Sequence, residues 1–223
     1  MYRIIALLIG YALGCVQTAY FVGKLHGIDI REHGSKNAGM TNVSRTLGKK
    51  FGAAVFLIDM LKCAAAFVIA MWVFDGYSLL YVLEDCPCVK FDSLILHDLP
   101  CIRLYRGIPP GIYAGFGAIL GHCFPVLLKF RGGKGVSCAL ALIILVNWKI
   151  ALIVFGTGMI FFLLTRYISV GSLYVTFFAP VAMFFFGCAF EEIAVMFTIT
   201  ALIWFMHREN IKKILNKTER KFF

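Results

Sequence analysis

Seven apolar stretches, each bounded by polar or basic residues, divide the chain at about 4–23, 51–74, 108–128, 136–148, 150–165, 172–189 and 193–206. The hydrocarbon core of a bilayer is about 30 Å thick, and a helix needs roughly 20 apolar residues to cross it. No backbone N–H or C=O can go unpaired in lipid, so these stretches are predicted to be helices. The expected fold class is all-α: a polytopic integral membrane protein of about seven transmembrane helices. The fourth and seventh stretches are short and need support from flanking residues or neighbouring helices. With 61% of the 223 residues apolar and 15% charged, no chain is left for a separate soluble unit. Residues 1–223 read as a single membrane domain with one long outer loop at 76–107. The first stretch has no small-x-small cleavage site after it and reads as a retained helix rather than a signal peptide.

Seven crossings put the termini on opposite sides, and the basic residues orient them. One face carries 16 Lys and Arg and the other carries 5, with Lys62 inside a span. The positive-inside rule then predicts an outside N-terminus and a cytoplasmic C-terminus. Most of the net charge of +10 is accounted for in this way. No basic patch lies on a soluble face, so no nucleic-acid partner is expected.

That rule does not explain two glycine-framed loops on the same basic face. The first runs Gly34-Ser35-Lys36-Asn37-Ala38-Gly39-Met40-Thr41-Asn42-Val43-Ser44-Arg45, and the second Phe130-Arg131-Gly132-Gly133-Lys134-Gly135. Glycine lets backbone N–H groups face a ligand. Ser, Thr and Asn add neutral hydrogen bonds, and Arg and Lys add charge. The mixture suits a phosphate-bearing molecule. An ordinary turn needs only one or two such residues, whereas the first loop has them throughout. Lys134 sits within a run of glycines rather than at a helix end. The second loop is not a P-loop, which needs Ser or Thr after the Lys and a Gly five positions before it; here those positions hold Gly135 and Lys129.

Two shorter groups share that face. Arg166 to Ser172 joins the fifth and sixth stretches as a turn containing Ser169. His207 and Asn210 are three apart and share one side of a helix. His122, in Gly121-His122-Cys123-Phe124-Pro125, lies in a span near the same end; it is a candidate either for ligand contact or for orienting a loop. Asp59 and Lys62, also three apart, are expected to pair as a structural clamp. Gly10-xxx-Gly14, Gly111-xxx-Gly115 and Gly117-xxx-Gly121 predict close helix packing.

Cys15, Cys63, Cys123, Cys138 and Cys188 read as small hydrophobes. Cys86, Cys88 and Cys101 share the outer loop with His97. Their spacing matches no common zinc motif, and a disulfide plus one free thiol fits equally well. No metal and no cofactor are expected.

The Gly34–Arg45 stretch with Thr46-Leu47-Gly48-Lys49-Lys50, then Gly121-His122-Cys123-Phe124-Pro125 running into Phe130–Val136, the Tyr167–Ser172 turn and the closing His207-Arg208-Glu209-Asn210-Ile211 together resemble the PlsY family. These are bacterial acyl-phosphate:glycerol-3-phosphate acyltransferases. The resemblance implies a seven-helix enzyme of the bacterial inner (cytoplasmic) membrane with its active site on the cytoplasmic face. It would transfer an acyl group from acyl phosphate to glycerol 3-phosphate, giving 1-acyl-glycerol-3-phosphate for phospholipid synthesis. It implies catalytic roles for Ser35, Arg45, Lys134 and His207. It implies substrate and phosphate binding by Asn37, Gly39, Thr41, Asn42, Gly132, Gly133, Gly135, Ser169 and Asn210; Lys36 and His122 are further candidates by their own chemistry. The implied partners are the two substrates and the lipid bilayer, with no obligate protein partner. Four positions depart from the family pattern: Lys36 stands for a usual glycine, Ile168 for a serine, Met206 for an arginine and Cys15 for a serine. The rival reading is a transporter of a phosphorylated metabolite, although no internal repeat accompanies the cations.

Overall fold

The computed structural model describes residues 1–85 and 110–222, with side chains described on the long second span as far as Phe74. The outer-loop residues Cys86, Cys88, Lys90, His97, Cys101, Arg103 and Arg106 lie outside the described residues.

All the regular structure described is helical. In chain order the helices are α1 (Tyr2–Gly14), α2 (Thr18–Leu25), α3 (Met40–Thr46), α4 (Lys49–Asp85), α5 (Pro110–Cys123), α6 (Val136–Val146), α7 (Trp148–Thr165), α8 (Ile168–Phe185), α9 (Phe190–Met206) and α10 (Arg208–Leu215). Among the described residues, five segments are long and apolar enough to cross a membrane, or six if the bent α9–α10 pair is one span. The fourth predicted stretch becomes α6, whose 11 residues reach only about 16 Å.

Helix α5 is the centre of the bundle. Every residue in it is buried except Tyr113, Phe116 and Leu120, which are half-buried. Its small residues set how close the neighbours come. A Cβ on Gly10 or Gly14 of α1 would strike the backbone of Ala114 or Ala118, and one on Gly117 or Gly121 of α5 would strike the backbone at Leu7 or Tyr11. The small-residue pairs therefore do pack helices, as read from the sequence. Gly111 and Gly115 serve other neighbours, Phe67 of α4 and Leu142 of α6. The outer surface of the bundle is a band of exposed Leu, Ile and Phe such as Leu152, Leu164, Phe184 and Phe185, the pattern lipid requires.

Three departures from the sequence reading have local causes. The first stretch is not one helix: it breaks at Cys15–Gln17. The break lets the Gln17 amide donate to the carbonyls of Gly14, Gly121 and His122 at 3.3, 3.4 and 3.0 Å, which ties α1 to the end of α5. The turn at 166–172 is mostly helix. Only Arg166, at φ 62°, and the extended Tyr167 separate α7 from α8, so Ser169 and Ser172 ride on the first turns of α8. Helices α9 and α10 meet at a 60° bend at His207 rather than forming one straight helix. Within α8, Pro180 cannot donate to the Thr176 carbonyl; Thr200 Oγ1 of α9 donates to that carbonyl instead, at 2.7 Å.

Gly117→Val will test the α1–α5 contact. The new side chain meets fixed backbone rather than a flexible neighbour, so a loss of about 3 kcal/mol is expected, at the upper end for overpacking. It will read as a clear drop in Tm in detergent, whereas an unchanged Tm would show that α1 and α5 pack loosely.

Candidate functional site

The polar segments predicted to share one face converge on one cavity of about 330 Å³. Ser35, Lys36, Asn37, Gly39, Thr41 and Arg45 come from the first loop and α3, and Lys134 and Gly135 come from the second loop. Ser169 and Ser172 come from α8, His207 and Asn210 from the α9–α10 bend, and Asp59 and His122 from the spans beneath.

The first loop is held from inside by Asn42. Its amide donates to the carbonyls of Ile30 and His33, both at 2.9 Å, and its oxygen accepts from the Ser35 N–H at 2.8 Å. Asn42 is fully buried and does not line the cavity. It shapes the loop that presents Ser35 and Asn37, a correction to its expected place among the binding residues. Lys36 sits at φ 58°, a left-handed conformation that glycine adopts most readily. The turn is therefore kept, with a cation where the family pattern has a glycine.

The second loop works differently from the expected cradle. The N–H groups of Gly132 and Gly133 donate to the carbonyls of Cys123 and His122 at 3.2 and 3.0 Å. Neither glycine lines the cavity. Side chains there would collide with the His122 carbonyl or imidazole, so these glycines allow close packing on α5 rather than anion contact. Gly135 does line the cavity, and its φ of 81° turns the chain into α6. The outcome is a rigid bracket that projects Lys134.

Lys134 Nζ donates to Asn210 Oδ1. The Asn210 amide then donates to Glu219 Oε1 at 2.7 Å, and Ser169 Oγ donates to the same oxygen at 2.8 Å. The tail also packs over the first loop, where Arg45 Nη2 donates to the Arg220 carbonyl at 3.1 Å. Burial pushes the Lys134 ammonium down to about 8 against the upward pull of Glu219, and Lys213 and Arg45 add to the downward push. Burial likewise lowers the Arg45 guanidinium, with Arg220 adding to it and Glu219 opposing. His207 is buried, with Nδ1 2.8 Å from the Ile203 carbonyl. In the neutral ring this leaves the lone pair on Nε2.

Glu219 went unrecognised in the sequence. Its one signal was being the sole acid in the basic tail from Ile211 onward. Below the cavity, the expected Asp59–Lys62 clamp is present at 2.9 Å, with His122 joined to it at 3.0 Å from Lys62 Nζ.

The glycerol-3-phosphate acyltransferase family model matches residues 4–217. The chain belongs to this family. Glycerol-3-phosphate acyltransferase from Aquifex aeolicus is 32% identical over 222 residues, covering 100% of both chains. Glycerol-3-phosphate acyltransferase 1 of Oceanobacillus iheyensis is 33% identical, covering 99% of this chain and 95% of the relative. The crystal structure of PlsY, an integral membrane glycerol 3-phosphate acyltransferase, in its glycerol 3-phosphate form superposes with a TM-score of 0.80. It shares 32% identity and covers 100% of this chain and 96% of its own. The lysophosphatidic acid form gives 0.77 at 31% identity. Membership in this family of integral membrane acyltransferases leaves the transporter reading without support.

Glu219 ties α8, α10 and the tail together in this acyltransferase. Glu219→Ala will strip an acceptor from Ser169 and Asn210 at once and cost about 2 kcal/mol, as for hydrogen bonds to a charged group. Thermal unfolding together with trypsin cleavage at Lys217 and Arg220 measures this; unchanged Tm and cleavage would show that the tail is not anchored there.

Proposed function

We propose that the cavity moves an acyl group from acyl phosphate to a hydroxyl of glycerol 3-phosphate, and that residues 1–223 do so as a single domain. The hydroxyl oxygen forms a bond to the acyl carbon, the bond from that carbon to the phosphate oxygen breaks, and inorganic phosphate leaves. The proton of the hydroxyl passes to a phosphate oxygen or to His207 Nε2. The donor is a mixed anhydride with a good leaving group, so the enzyme supplies mainly position and charge stabilisation. Arg45 and Lys134 neutralise the two phosphates. Ser35, Asn37, Thr41, Ser169 and Asn210 add neutral hydrogen bonds, and Lys36 adds a further cation. The observation that carries this reading is the convergence of Arg45, Lys134 and the polar side chains of four separate segments on one cavity.

The membrane arrangement we infer has seven crossings, with α6 and the α9–α10 pair counted as the two short spans. The N-terminus is outside and the C-terminus cytoplasmic, in the inner membrane of a bacterium. The excess of Lys and Arg on the cavity's side supports a cytoplasmic site.

Among the described residues, the few cations lining the cavity support a compact acyl phosphate as donor. Recognition of acyl-CoA needs a surface for adenosine and its phosphates, and the cations lining the cavity are already committed to two compact phosphates. Purified protein given palmitoyl phosphate and glycerol 3-phosphate will make lysophosphatidate; matched palmitoyl-CoA will not. Comparable rates from palmitoyl-CoA would refute the donor assignment.

Lys134 gives the second test. Lys134→Ala will lose at least ~3 kcal/mol of transition-state stabilisation, on the order of a hundredfold or more in kcat/KM, while Lys129→Ala will lose little. The sign of the pH effect follows from the ammonium at about 8. It is charged below that pH, and charge is lost as pH rises through it. The kcat/KM for glycerol 3-phosphate will therefore fall above about pH 8, and Lys134→Arg will remove that limb because guanidinium stays charged. Equal modest losses at Lys129 and Lys134, with no alkaline limb, would mean the loop is only a tether.

A further inference from the structure

The ion cluster beneath the cavity fixes more than the packing of helices. The Lys62 ammonium has three N–H bonds and no lone pair. Three acceptors surround it: the Val16 carbonyl at 2.7 Å, Asp59 Oδ1 at 2.9 Å and His122 Nδ1 at 3.0 Å. Asp59 Oδ1 also accepts from Thr18 Oγ1 at 3.0 Å, and its 3.6 Å separation from His122 Nδ1 is too long for a hydrogen bond. An ammonium can only donate, so His122 Nδ1 must present its lone pair to Lys62. The ring proton is then on Nε2.

Nε2 is at the ring edge that Gly133 approaches. A Cβ on Gly133 would collide with it, so the glycine keeps that edge clear. His122 lines the same cavity as Lys134, Ser35 and Asn37. Among the described residues, Nε2 has no hydrogen-bond partner.

We propose that His122 is a neutral, fixed hydrogen-bond donor to a phosphate oxygen bound in the cavity, and that Lys62 and Asp59 are positioning residues that lock it in the Nε2–H tautomer. The identity of the anion rests on the acyltransfer reading above, whereas the tautomer does not. A second cation beside Lys62 would repel it inside the span; a neutral donor adds direction without adding charge. The role of Lys62 is then to direct its third N–H to the imidazole, and the role of Asp59 is to hold Lys62 in place.

The test uses the full chain with ¹⁵N-labelled histidine in detergent, read by two-bond proton–nitrogen correlation and assigned by the signal lost in His122→Gln. The expected spectrum shows His122 as the Nε2–H tautomer. Its signal shifts on saturation with glycerol 3-phosphate, and a parallel titration with inorganic phosphate shows whether phosphate alone suffices. Lys62→Met should leave a mixture of tautomers. An imidazolium, an Nδ1–H tautomer, or a signal indifferent to both ligands overturns the proposal. Kinetics supply a second arm. Glutamine can keep a donor near the position of Nε2 while phenylalanine keeps only the ring, so His122→Phe should lose about 10- to 100-fold more kcat/KM than His122→Gln. Equal losses would make His122 a packing residue. Separate KM values for glycerol 3-phosphate and palmitoyl phosphate then tell which phosphate the donor meets. A phosphate-sensitive Nε2–H signal in protein that forms no lysophosphatidate would uphold this donor and refute the acyltransfer reading instead.

Discussion

The buried pair of Asp59 and Lys62 is the interaction on which the rest of the molecule depends. Either charge alone would be costly inside a span. Together they are compensated, and each of their neighbours is a structural decision. Val16 can offer its carbonyl to Lys62 only because the first span breaks between α1 and α2. Thr18, the first residue of α2, donates to Asp59. His122 closes the group from the end of α5, and the carbonyls of His122 and Cys123 hold the two glycines that aim Lys134. The break, the glycine loop and the cavity floor are thus parts of one hydrogen-bonded unit. Removing one charge would leave the other uncompensated, which is far costlier than never having had either.

Above that floor, the walls come from segments far apart in sequence. Small residues let α1 lie directly on α5, which brings the first loop over the loop that follows α5. The 60° bend at His207 turns α10 across the cavity mouth. Glu219 then gathers Ser169, Asn210 and, through Asn210, Lys134. This carboxylate partly offsets the positive charge of Lys134 and Arg45.

Much of this was legible in the sequence because it depends on short-range spacing. The all-helical membrane class, the four-residue glycine repeats, the pairing of Asp59 with Lys62 and the family membership all survive as read. What escaped depends on where a group finds its partner. Nothing local announces the break at Cys15–Gln17, which is held by carbonyls more than a hundred residues away in sequence. Gly132 and Gly133 were expected to turn their N–H groups to an anion and instead turn them to α5. Asn42 has the residue type of a ligand contact and is spent on its own loop. Ser169 rides on a helix rather than a turn because Arg166 and Tyr167 suffice to reverse the chain. Glu219 looked like one charge among many in a basic tail, and only the folding of that tail over the cavity gives it a role.

In the proposed reaction one cavity holds a phosphate between Lys134 and the wall carrying Ser35 and Arg45. The most direct measurement is an experimental structure of this protein with glycerol 3-phosphate bound. The phosphate is expected within hydrogen-bonding distance of Lys134 Nζ, with Asn210 and Ser169 beside it. A phosphate bound outside this cavity, with Lys134 still donating only to Asn210, would contradict it.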